Sequence, residues 1–148
     1  MFFEVSQSYA YLMVRHFLSI ADLTSKELNK LIQRGLQAKK LITSGNFENR
    51  QSLKGQTIPL LFSKRSTRTR ISTEGAVAYL GGQPMFLGRD DIQLGVNETY
   101  YDTARVISSM SSGIVARVGP HSEIAELAKW SSVPVINALC EKFHPMQA

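Results

Sequence analysis

The sequence predicts an α/β fold: a three-layer αβα domain around a parallel sheet of about four strands. Three observations predict it. Short, nearly continuous apolar runs recur along the chain, and segments with helical periodicity or helix-capping residues alternate with them. No apolar run approaches the ~20 residues that cross a membrane, so no membrane partner is expected. The 148 residues suffice for one domain with a real core, and with 43% hydrophobic and 20% charged residues the chain reads as globular rather than disordered.

Residues 1–15 read as an N-terminal extension and residues 16–148 as the domain. The start, Met1 to Val14, is mildly apolar but contains Glu4. It lacks the basic start and cleavage site of a secretory signal, and it fits an Arg- and Ser-rich transit peptide poorly. The first clear element is a helix over residues 25–41. Thr24 and Glu27 form a capping box, Leu28, Leu31, Ile32 and Leu36 make an apolar stripe, and Gly45-Asn46 supply the stop. Residues 56–62 are almost continuously apolar, which predicts a strand buried on both faces. A helix over residues 67–80 follows, closed by Gly81-Gly82.

The alternation then repeats. Residues 84–87 read as a second strand, followed by a Gly- and Asp-containing loop over residues 88–97. Asn97 is the expected cap of a helix running through Asp102 and Val106 to about Met110. Residues 113–117 form a third strand. Ser122 is the expected cap of a helix through Ile124, Leu127 and Ala128, and residues 133–137 form a fourth strand.

In parallel sheets ligands bind beyond the carboxyl ends of the strands. Those ends lead into residues 63–69, 88–97, 117–121 and 137–147, where the richest polar chemistry also lies. The run Ser66-Thr67-Arg68-Thr69-Arg70 opens a helix directly after a buried strand. A helix start offers unpaired N–H groups and a partial positive charge; the hydroxyls add short donors, and Arg68 can fork onto two phosphate oxygens. Lys64, Arg65 and Arg70 deepen the positive potential. No glycine-rich nucleotide loop precedes this helix. Near the chain end stands His144-Pro145-Met146-Gln147. His144 can donate to a carbonyl oxygen, Gln147 can accept from an amide, and Pro145 stiffens the turn between them. Arg117 closes the third strand at the same edge.

Seventeen Lys and Arg against 12 Asp and Glu give a net charge of +5, which favours anionic partners. The basic residues are scattered apart from the cluster at Lys64 to Arg70, and no aromatic RNA-binding motif or basic tail is present. A nucleic-acid partner is therefore not indicated. The single cysteine, Cys140, forms no internal disulfide and builds no zinc site alone. It reads as a small buried apolar residue, and cysteine usage suits a reducing compartment.

Taken together, Ser66-Thr67-Arg68-Thr69-Arg70, Arg117 and His144-Pro145-Met146-Gln147 resemble the aspartate/ornithine carbamoyltransferase family in order and spacing, over about residues 16–147. The segments Phe62-Ser63-Lys64-Arg65, Asp91-Ile92-Gln93-Leu94-Gly95-Val96-Asn97-Glu98 and Asp102-Thr103-Ala104-Arg105-Val106 look like the ornithine branch. The resemblance implies that Ser66, Thr67, Arg68 and Thr69 hold the phosphate of carbamoyl phosphate. It implies that Arg117 and His144 polarise the carbonyl oxygen as catalytic groups and that Gln147 orients the amide. Gln93 corresponds to a residue lent to the neighbouring subunit's site, which implies a homotrimer. No metal and no cofactor are implied. The reaction implied is carbamoyl transfer from carbamoyl phosphate to the δ-amine of ornithine, giving citrulline and phosphate in arginine biosynthesis and the urea cycle. Enzymes of this branch are cytoplasmic or in the mitochondrial matrix, and the sequence does not choose.

The family's second, ornithine-binding α/β domain has no counterpart in these residues: its Asp/Ser-Met-Gly turn and His-Cys-Leu-Pro segment are absent. The expectation is therefore a carbamoyl-phosphate-binding half that turns over little or nothing by itself. Three other readings stay open: an aspartate carbamoyltransferase half, a non-catalytic anion-binding or assembly module, and a nucleic-acid binder that explains only the net charge.

Overall fold

The computed structural model describes residues 14–45, 51–92, 94 and 97–147. Three expectations lie outside the described residues: the reading of residues 1–13, the stop residue Asn46, and the site residue Gln93. The described elements alternate as expected: α1 (Ser25–Thr43), β1 (Thr57–Phe62), α2 (Arg68–Tyr79), β2 (Gln83–Gly88), α3 (Tyr100–Met110), β3 (Ile114–Arg117), α4 (His121–Trp130) and β4 (Val135–Leu139). The strands form one parallel sheet in the order β2-β1-β3-β4. Phe17 adds a bridge to the outer edge of β4, with its N–H on the Val135 carbonyl and its carbonyl taking the Asn137 N–H, both at 2.9 Å.

Strand β1 runs between β2 and β3, and five of its six residues are buried. Its alternate side chains feed two cores. Leu61 packs with Ile114, Ala116, Ile124, Leu127 and Val135 beneath α3 and α4. Leu60 and Phe62 pack with Ile58, Val77, Val115 and Ala138 beneath α2. This is the three-layer arrangement: α2 on one face, α3 and α4 on the other. Because every strand points the same way, the four carboxyl ends share one edge.

Three local expectations need correction. Helix α3 is capped by Thr99, not Asn97: the Thr99 hydroxyl accepts the Asp102 N–H at 3.1 Å, and Asp102 returns the bond to Thr99. The reciprocal Thr-x-x-Asp pair satisfies two helix-start donors, which outweighs a single Asn cap. Helix α4 starts at His121 with Pro120 at its cap position; no side chain caps it, and Ser122 lies inside it. Proline has no N–H to donate and its fixed φ suits a helix entry. Strand β4 begins two residues later than expected, because the Pro134 carbonyl already takes the Ile114 N–H and registry with β3 starts at Val135.

Helix α1 forms as expected. Its capping box is present, with Glu27 held well below the usual carboxylate range, to about 2, by Arg15 and by the Thr24 backbone and hydroxyl. Its apolar stripe, however, is not in a core. Leu31 and Leu36 are each 49% exposed, and no residue of α1 is buried. Periodicity reports an apolar face; it does not report what covers it.

Thr99→Ala should lower unfolding stability by about 1 kcal/mol through the lost cap, and Leu61→Ala by about 2–5 kcal/mol through the cavity it leaves. Urea denaturation midpoints at unchanged slope measure both.

Candidate functional site

The loop from β1 to α2 carries the hydroxyl-arginine run. Its start is fixed by the Ser63 N–H, which donates to the Arg117 carbonyl at 2.9 Å and so ties the ends of β1 and β3 together. The Ser66 hydroxyl accepts the Thr69 N–H at 3.3 Å. Thr67 precedes α2 in helical conformation, makes no side-chain cap, and α2 has no acidic residue in its first turn. The positive end of this helix therefore stays uncompensated by its own residues.

Two cavities flank the loop. The smaller, about 360 Å³, is lined by Ser66, Arg68, Thr69, Arg117, His144 and Gln147, together with Ser72, Leu139 and Met146. Six of the sequence-predicted site residues thus meet in one place, from three separate strand ends. Thr67 does not join them: it lines the larger neighbouring cavity of about 750 Å³, which Ser66 shares. The other basic residues of the run also face that second cavity. Arg70 stacks on the Phe86 ring at 3.5 Å and pairs with Glu74 at 3.0 Å, while Lys64 lies 3.8 Å from Glu141.

Arg117 and His144 line the smaller cavity, and each keeps one buried nitrogen, Arg117 Nε and His144 Nδ1, with no hydrogen-bond partner. Buried polar atoms are normally paired, so the two unpaired nitrogens set these side chains apart from the rest of the cavity lining. Burial, and then the neighbouring Arg117 charge, push the His144 pKa down. The imidazole is therefore neutral at neutral pH, and the adjacent guanidinium supplies the charge.

Comparison with known proteins places this geometry in a family. The family profile described as "Aspartate/ornithine carbamoyltransferase, carbamoyl-P binding domain" matches residues 15–148. The chain belongs to this family. It is 65% identical over 136 residues to a protein of Emericella nidulans named ornithine carbamoyltransferase, mitochondrial, covering 90% of this chain and 38% of that one. A crystal structure of a mitochondrial ornithine carbamoyltransferase from Coccidioides immitis superposes with a TM-score of 0.85 at 62% identity, over 90% of this chain and 43% of that chain. The catalytic subunit of M. jannaschii aspartate transcarbamoylase superposes at 0.79 with 28% identity, over 90% of this chain and 44% of that chain. The ornithine resemblance thus agrees with the higher identities, and the chain spans only about two fifths of such relatives.

Sequence reasoning missed Ser72, Leu139 and Met146 at the cavity of this carbamoyltransferase domain. Ser72 sits on α2 one turn beyond Arg68, a signal that helical spacing could have given. Leu139 carried none. It ends β4 at φ 143°, opposite Arg117 across a break in the strand register. A β-branchless but bulky side chain at positive φ costs about 1–3 kcal/mol and persists only where its surroundings enforce it. Cys140 is buried in the core as expected, and its sulfur additionally meets polar groups: the Phe143 N–H, the Asn137 side-chain amide and His121 Nδ1, each at 3.4 Å.

Burial also lowers the pKa of His16, whose Nδ1 accepts the Val135 N–H at 3.1 Å and so must stay unprotonated. For both His16 and His144 the folded pKa lies below the ordinary 6.5, so the fold binds fewer protons than the unfolded chain. Stability is full above pH 6.5 and falls as pH drops through the window below it. Thermal unfolding from pH 7.5 to pH 5 should show this loss, and His144→Gln should flatten part of it.

Proposed function

We propose that this chain binds carbamoyl phosphate and forms the first-substrate half of an ornithine carbamoyltransferase. The observation that carries the reading is the convergence of Arg117 and His144, each with one unpartnered buried nitrogen, with Ser66, Arg68, Thr69 and Gln147 around one cavity. Carbamoyl phosphate matches this set group by group. Its phosphate suits the hydroxyls, the Arg68 fork and the start of α2. Its carbonyl oxygen suits Arg117 and neutral His144, and its amide suits the Gln147 side-chain oxygen.

The chemistry follows from that placement. A neutral amine attacks the carbamoyl carbon, the N–C bond forms as the C–O bond to phosphate breaks, and the amine loses a proton. Negative charge grows on the carbonyl oxygen on the way, where the guanidinium of Arg117 and an N–H of His144 stabilise it. The phosphate grip holds the reactant in place and eases departure of the leaving group. The amine is the δ-amine of ornithine in this reading. The identity of 65% to an ornithine carbamoyltransferase against 28% to an aspartate transcarbamoylase supports that branch. The same resemblance gives Gln93 a role in a neighbouring subunit's site, hence a homotrimer. The names of the fungal relatives favour the mitochondrial matrix.

Arg68→Ala should weaken carbamoyl phosphate binding at least about tenfold, since a hydrogen bond to a charged group contributes about 1.5–3 kcal/mol. Calorimetric titration of the chain measures it. Unchanged affinity would return the chain to a module without this site.

A further inference from the structure

Asn137 is the one fully buried side chain in the described core that is neither apolar nor part of the substrate cavity, with 0% exposure. Every polar atom on it is used. Its Oδ1 accepts the Leu139 N–H at 3.0 Å. Its Nδ2 donates to the Leu18 carbonyl at 2.9 Å and reaches the Phe143 carbonyl and Cys140 Sγ, both at 3.4 Å. The Cys140 N–H donates to the Phe143 carbonyl at 2.9 Å, and the Phe143 N–H returns to Cys140 Sγ. His121 packs edge-on against Phe143 at 5.2 Å while its Nδ1 contacts the same sulfur.

Apart from the bond to Leu18, these bonds share one target. Residues 139, 140 and 143 are the two ends of the turn that delivers His144, and Asn137 with Cys140 pins both ends. The same amide enforces the strained end of β4. The Leu139 N–H is held by Asn137 and the Leu139 carbonyl takes the Val118 N–H at 3.0 Å, which keeps φ at 143° opposite Arg117. Arg117 and His144 come from different strands, so their common aim depends on a fixed relation between the ends of β3 and β4. Asn137 supplies that relation from inside the core.

We propose that Asn137, acting with the Cys140 sulfur, is the positioning residue that sets His144 against Arg117, so that the carbamoyl end of the substrate, rather than its phosphate, depends on it. This rests on the carbamoyl-phosphate reading above. The two ends of the substrate separate experimentally. Inorganic phosphate tests the grip at Ser66 to Thr69 alone. Phosphonoacetamide, in which a methylene replaces the bridging oxygen, tests that grip together with Arg117, His144 and Gln147.

The experiment is calorimetric titration of both ligands into the 148-residue chain and its Asn137→Asp, Cys140→Ala and Cys140→Ser variants. Aspartate keeps the acceptor for Leu139 and loses both donors; alanine removes the sulfur; serine returns an acceptor of similar size. Asn137→Asp and Cys140→Ala are expected to bind phosphonoacetamide about tenfold more weakly, as a displaced reacting group would dictate. Phosphate affinity should stay within about twofold, and Cys140→Ser should recover most of the loss. Equal loss of both ligands, or no loss of either, overturns the proposal, because a merely structural residue gives one of those patterns. If Asn137→Asp does not fold, the Cys140 pair decides alone by the same criteria. Wild-type chain that binds phosphonoacetamide no more tightly than phosphate overturns the carbamoyl-phosphate reading, and the proposal with it.

Discussion

Everything at the candidate site depends on β1 lying between two parallel neighbours with both faces buried. A strand so placed must be apolar on alternate residues of both kinds, and Leu60 and Leu61, each fully buried on opposite faces, meet that demand. Parallel pairing then forces every connection back across the sheet and brings all strand ends to one edge. The polar residues at the ends of β1, β3 and β4 are thereby brought to the same edge. Their cavity is a consequence of strand direction.

At that edge the backbone is tuned more finely. The Ser63 N–H on the Arg117 carbonyl joins the loop after β1 to β3, and the register of β3 against β4 shifts between Ala116 and Arg117, beside the cavity. Arg117 and His144 line that cavity, and Arg117 Nε and His144 Nδ1 are buried without a hydrogen-bond partner. Buried polar atoms left unpaired cost stability. Burial and the Arg117 charge both favour the neutral form of the His144 imidazole.

Much of this was legible in the sequence because the signals are local or compositional. The apolar run of β1, the Thr24-Glu27 capping box and the Gly81 turn, at φ 81°, are short-range features. What was not legible depends on tertiary competition. Asn97 and Thr99 are both acceptable caps, and only the reply from Asp102 decides between them. The start of β4 is set by pairing with Ile114, which apolar character alone cannot locate. The stripe on α1 is real but uncovered in the described structure. The site residues were recognisable as a set only through their resemblance to a family. Asn137 and Leu139 were invisible, because a buried amide and a strained leucine leave no motif.

The central claim is that one small cavity at the sheet edge receives carbamoyl phosphate along its whole length. The direct measurement is an amide and side-chain NMR titration of the chain with carbamoyl phosphate. The account predicts saturable shifts at Ser66 to Thr69, at Arg117, at the His144 ring and at the Gln147 side-chain amide, all with one affinity. Shifts confined to the second cavity around Arg70 and Arg89, or shifts at Ser66 to Thr69 with none at Arg117 and His144, would contradict it.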